Sequence, residues 1–180
     1  MKALHNEHGD MRFSPEYRHG AGVKDKRYPW PKVEDRREIP LYNHQSIRKC
    51  YSYVGRVGGA QKLSLGDGCG YVGTIVHELG HALGLHHEHQ RSDRDTYLNV
   101  YLDNVIKGQE HNFNKTLPSE ELIFTKYDYA SIMHYGCCAF AANSTLITME
   151  AKNGTPLKEP YDKPGLTNSD ITMVNKLYKC

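Results

Sequence analysis

The chain predicts a mixed α+β domain from three features. Two short alternating segments, CYSYV and KLSL, flank a glycine-rich turn. An apolar period close to 3.6 residues runs through TIVHELGHALG, and a second runs through DITMVNKLY near the end. At 180 residues the chain suits one domain with a sizeable core.

Residues 1–45 are polar and carry mixed charge, with three prolines in KDKRYPWPKVEDRREIP; the expectation there is an exposed, partly extended arm. From Cys50 the pattern changes to a hairpin: CYSYV, the turn GRVGG, then KLSL, closed by Gly66, Asp67 and Gly68. In residues 74–84, Ile75, Val76, Leu79, Ala82 and Leu83 share a helical face, and Gly84 is a natural left-handed terminator. YLNVYLDNV alternates enough for a strand, whereas Tyr127 to Ala141 mixes aromatics and turn residues without a period. Thr167 or Ser169 opens a last helix, with Ile171, Val174 and Leu177 or Tyr178 on one face.

Hydrophobic residues make up 38%, mean hydropathy is −0.68 and formal net charge is +2, which excludes a charge-driven nucleic-acid or anionic-membrane binder. No run is long enough to span a bilayer. The opening MKALHNEHGDMRFSPEYRHG lacks the apolar core of a signal peptide, so the expectation is an N-terminus lying further upstream. Sequons begin at Asn114, Asn143 and Asn153, and five cysteines leave an odd thiol after pairing.

Seven of the eleven histidines fall between His77 and His134. The segment HELGHALGLHH explains that clustering. His77 and His81 are four apart on a helix, so their rings share a face and reach one ion. Gly84 lets the chain leave the helix and bring His87 round as a third imidazole. Three neutral imidazoles with an open fourth position suit catalytic zinc, and Glu78 stands beside them within reach of a water. The pattern HExxHxxGxxH has five specified positions, and random matches arise on the order of once in several million windows. His86 and His89 are out of ligand register; they are expected to be exposed or packed behind the ligands.

The same motif followed by a methionine turn marks the metzincins. HEHQRSDRD, residues 87–95, resembles the astacin extension HExxRxDRD, and SIMHY at 131–135 resembles the astacin Met-turn. CYSYVGRVGG and the terminal LYKC also resemble that family. The resemblance implies a metzincin-like zincin fold: a small mixed sheet with the active-site helix, then an irregular C-terminal subdomain ending in a helix. It implies a zinc endopeptidase acting on protein or peptide substrates, with one Zn2+ on His77, His81 and His87. By the same resemblance Glu78 is the general base and Tyr135 the oxyanion partner, ligating zinc at rest. Met133 packs beneath the metal, and Glu88 ties down the N-terminus made by activation. Cys50 and Cys69 form a disulfide, Pro160 in EPYDKP lines a substrate pocket, and the edge strand Cys50–Val54 aligns an extended peptide antiparallel to itself. Arg91, Asp93, Arg94 and Asp95 alternate in sign, which favours a local ion-pair network over a substrate patch.

HGDM resembles the family's prosegment motif FxGD with Glu7 in place of phenylalanine, which makes Asp10 the switch ligand. The implied organisation is a prosegment 1–18 released near Arg18, then a protease domain 19–180 with subdomains 19–84 and 85–180. A secreted, monomeric zymogen is expected. The family places a long helix and further strands where only a few residues separate Tyr42 from Cys50 here. That shortening predicts a bared sheet face and leaves Cys180 without its usual partner, with Cys137 and Cys138 as unusual additions. It also raises an alternative: an impaired, truncated relative that binds partners without cleaving them.

Overall fold

The computed structural model describes residues 49–180 together with Glu7–His8, Met11–Arg12, Trp30, Lys32–Val33, Arg36–Arg37 and Leu41–Asn43. Asp10 lies outside the described residues. Strands β1 (Glu7–His8), β2 (Met11–Arg12), β5 (Leu41–Asn43), β6 (Cys50–Tyr53) and β7 (Gln61–Leu65) form one sheet in the order β1-β2-β6-β7-β5. β3 (Lys32–Val33) and β4 (Arg36–Arg37) pair separately. The expected hairpin is β6 with β7, antiparallel, with Ser52 opposite Leu63. β2 adds to the outer edge of β6 in parallel, Met11 opposite Ser52, and β5 adds in parallel to β7.

The strand period sorts β6 and β7 into two faces. Ser52, Val54, Gln61 and Leu63 are buried, and helix α1 (Val72–Ala82) packs on this sheet. On the other face Tyr51, Tyr53 and Lys62 are half-buried and Ser64 is buried, so the bared face expected from the shortening is only partial. The N-terminal arm is likewise not uniformly exposed: Met11 and Trp30 are buried. The Trp30 indole N–H donates to Ala82 O at 2.8 Å, the partner a buried indole requires.

Beyond α1 the chain is mostly turns. The strand expected over YLNVYLDNV stops early: β8 (Leu98–Val100) pairs with β9 (Met149–Ala151), and Leu102–Asn104 then winds into a 3-10 turn. Leu98, Phe113, Tyr127, Tyr135 and Met149 form the core of this half. Helix α2 (Asn168–Tyr178) closes the chain. Asp170 and Tyr178 are buried and Met173, Val174 and Leu177 partly so, these three against Leu85, Ile132 and Met133, while Ile171 is exposed. Among the described residues no helix is long and apolar enough to cross a membrane.

Candidate metal centre

α1 presents His77 and His81 with Nε2 atoms 3.1 Å apart. His77 Nδ1 lies 2.7 Å from Ile132 O, and His81 Nδ1 lies 2.8 Å from Leu85 O. A carbonyl can only accept, so each Nδ1 carries its proton and each Nε2 keeps a lone pair. Two lone pairs facing each other repel unless a cation lies between them. The spacing is close to the roughly 3.3 Å expected of nitrogens about 2.05 Å from a tetrahedral zinc.

The chain leaves α1 through a Schellman turn. Leu85 N–H donates to Gly80 O, Gly84 N–H donates to His81 O, and Gly84 has φ +95°, a conformation that favours glycine. The reversal brings in His87, and ligand atoms of His77, His81 and His87 all lie within 4.8 Å of one another. All three rings are buried. His77 and His81 therefore fit zinc in residue type, tautomer and spacing, and His87 adds a third imidazole of the same type within reach.

Glu78 is fully buried on α1 beside the triad. Met133 lies under the helix, its Sδ 2.6 Å from where a Cβ on Gly80 would stand, so a side chain there would force the thioether to shift. Tyr135 is buried, its ring 4.3 Å from that of His87 and 5.8 Å from that of His77. Pro160 opens a 3-10 turn whose carbonyl packs against Gly73 at the start of α1.

Glu88 accepts from Arg91 at 2.8 Å and from the Asp128 N–H at 3.0 Å. Burial pushes its carboxyl up to about 7 against the pull of Arg91. Arg91 also grips Asp93 through two nitrogens, and Asp95 joins Arg94 to Lys115, which is an ion-pair network. Arg94 Nη1 donates to His89 O at 3.0 Å, bracing the turn after the third ligand. Glu88, Leu85, His87, Arg91 and Asp170 border a small cleft.

His86 and His89 are not exposed. Both are buried, and His89 stacks on His87 at 5.2 Å and on Tyr135 at 5.0 Å. Burial holds the His89 imidazole well below its ordinary pKa, so it stays neutral. Two contributors are assigned no role from the sequence. His134 Nε2 accepts from Tyr127 OH at 2.9 Å while its Nδ1–H donates to Tyr135 O at 2.7 Å, fixing the backbone of Tyr135. Asp170 accepts from Ser131 Oγ at 2.6 Å and Ile132 N–H at 2.9 Å, and so positions the carbonyl that holds His77. The only sequence hint of Asp170 is the Thr167-x-x-Asp spacing of a capping box. Cys50 and Cys69 are bonded, whereas Cys137, Cys138 and Cys180 are free thiols.

A helix-borne HExxH, a glycine reversal to a third histidine and a methionine turn beneath define a metzincin-type zincin. The sequence model of the Astacin peptidase family matches residues 31–179, and the chain belongs to that family. It is 47% identical over 136 residues to astacin-like metalloprotease toxin 1 of Loxosceles intermedia, covering 73% of this chain and 52% of the toxin. It is 44% identical over 136 residues to high choriolytic enzyme 1 of Oryzias latipes, covering 73% of this chain and 48% of that one. The solved structure of that hatching enzyme superposes with a TM-score of 0.71 at 38% identity, covering 82% of this chain and 73% of the other. Myroilysin, at 23% identity and TM-score 0.51, shares the fold. The matched segment thus spans about half the length of these two curated relatives. His77, His81 and His87 are the family's zinc-binding triad.

Proposed function

We propose that the chain is a zinc-dependent endopeptidase that hydrolyses peptide bonds in protein substrates. The observation that carries this is the convergence of three buried imidazoles within 4.8 Å beside a fully buried glutamate. When bound, zinc supplies the Lewis acidity that lowers the pKa of a coordinated water to about 7 and polarises a carbonyl. Glu78 takes the proton of the attacking water and delivers it to the leaving amine nitrogen. The Tyr135 hydroxyl donates to the oxygen that gains negative charge as the carbonyl carbon becomes tetrahedral. Met133 supports the helix at Gly80, and Pro160 borders the pocket beyond the scissile bond.

Latency is part of the same proposal. The outer edge of β6 suits an extended substrate strand running antiparallel. β2 pairs there in parallel, which supports a prosegment 1–18 that blocks the edge in the opposite direction, with Asp10 as its metal-directed carboxylate. Glu88, which borders a small cleft, is the acceptor for the N-terminus released by cleavage near Arg18. The Cys50–Cys69 disulfide supports a secreted protein folded in an oxidising compartment, and the proposal takes it as a monomer.

The test is zinc stoichiometry together with casein hydrolysis, measured on the full chain and on chain lacking residues 1–18. One zinc per chain and higher turnover after removal are expected. Glu78→Ala should keep zinc and lose about two to four orders of magnitude in kcat. Undiminished turnover in metal-replete Glu78→Ala would remove the assigned base.

A further inference from the structure

Cys137 and Cys138 follow the Met-turn directly, and neither belongs to the zinc site or the disulfide. Their Sγ atoms lie 3.0 Å apart, with Cys138 exposed and Cys137 half-buried. The backbone around them is held on both sides. Cys137 O accepts the Thr148 N–H at 2.8 Å and the Met149 N–H at 3.2 Å, and Gly136 is packed against the Glu159 carboxylate. The two thiols are therefore held as neighbours, about 1 Å beyond the length of a disulfide bond.

We propose that Cys137–Cys138 is a redox modification site, a vicinal dithiol that closes reversibly by exchange with a low-molecular-weight disulfide. The Cys138 thiolate attacks one sulfur of the reagent, forming a mixed disulfide and releasing one thiolate. The Cys137 sulfur then attacks Cys138 Sγ, forming the intramolecular bond and expelling the second thiolate. The two protons lost by the cysteines end on the two released thiols. The protein thiols are oxidised and the reagent is reduced.

Adjacent residues have Cα atoms about 3.8 Å apart, shorter than the usual disulfide span, so the ring is strained. Strained, exposed disulfides are the labile ones, and the bond opens readily under reductant. The loop it closes begins two residues after Tyr135, between that side chain and the β9 anchor. The modification itself does not depend on peptide hydrolysis.

The experiment treats the full wild-type chain and Cys180→Ser with excess glutathione disulfide, traps free thiols with a maleimide, and weighs the tryptic peptide spanning residues 127–152. The expected peptide is lighter by two hydrogen atoms, carries neither maleimide nor glutathione, and recovers two maleimide sites after dithiothreitol. Cys137→Ser should stop at a glutathione adduct on Cys138. Two maleimides after oxidation, a persistent wild-type glutathione adduct, or a bond to Cys180 or to a second chain would each overturn the proposal.

Discussion

α1 and α2 are each 11 residues long, but they are held by opposite means. α2 has a complete capping box. Thr167 accepts the Asp170 N–H, the Asp170 carboxylate accepts the Thr167 N–H, and Lys179 ends the helix at φ +57°. α1 has no side-chain cap and no acidic residue in its first turn, yet it carries two zinc ligands and the glutamate. Its buried residues are mostly the functional ones, His77, Glu78, Gly80 and His81, of which only Glu78 is a good helix former. The capped helix stabilises the uncapped one: Asp170 uses the same carboxylate to cap α2 and to clamp Ser131–Ile132, whose carbonyl orients His77. A helix devoted to chemistry is here specified by tertiary contacts, and a helix devoted to structure supplies one of them.

Breaking that link should have the largest effect. Asp170→Asn places an amide where Ser131, Ile132 and Thr167 all donate, and should cost about 2–3 kcal/mol by leaving buried donors unmet. It should also weaken zinc about tenfold, since outer partners orient the ligand ring. Denaturant midpoints of apo protein and zinc competition against a chelator measure the two effects; unchanged zinc affinity would uncouple the helices. Next is Gly80→Ala. The added methyl raises helix propensity by about 1 kcal/mol but meets Met133 Sδ at 2.6 Å. Overpacking should win, for a net loss of about 1 kcal/mol or slightly more, and a gain in thermal stability would show that Met133 yields freely. Thr167→Ala should be milder, about 1 kcal/mol, because it removes a cap and leaves the carboxylate clamp in place. Zinc affinity should hold, and a fall matching that of Asp170→Asn would mean the cap and the clamp cannot be separated.

The legible parts of the site are those encoded by local geometry. The i, i+4 histidines need only the helix period, and His87 needs only a glycine that permits reversal. The β6–β7 hairpin follows from alternation around a glycine turn. The parts that are not legible have no local period. Asp170 acts on a hydroxyl and an amide brought in from a distant segment, and His134 acts through a tyrosine hydroxyl and its neighbour's carbonyl inside an aperiodic turn. His89 is placed only loosely by sequence because its burial depends on Phe113 and Tyr135 closing over it. The short β8 illustrates the reverse case, since its alternating sequence runs on past Val100 while β9 offers only three partners. The partly covered sheet face departs from expectation for a related reason: half-burial of Tyr51 and Tyr53 is a tertiary outcome that family-level bookkeeping of missing segments does not provide.

Lys163 joins the start of α1 to the Met-turn that Asp170 clamps, and its titration gives the subtlest test. The Lys163 carbonyl packs against Gly73 at the start of α1, while its Nζ donates to Ser131 O at 2.7 Å and to His134 O. Burial lowers the ammonium to about 8 from its ordinary 10.5, although Glu159 and Asp170 pull the other way. Between pH 8 and 10.5 the unfolded chain therefore binds more protons than the folded one, so this group makes stability rise with pH across that window. Below pH 8 both states hold the proton and the burial penalty is constant. From pH 8 to 9 the gain should approach about 1 kcal/mol. Lys163→Met should lower stability overall, because two carbonyls lose a donor, and should remove the rise. The readout is the difference in denaturant midpoint between wild type and variant at the two pH values, in which the titration of other groups cancels. Parallel curves would mean that the ammonium is hydrated in the folded state, and that Asp170 clamps the Met-turn without a buried counter-charge.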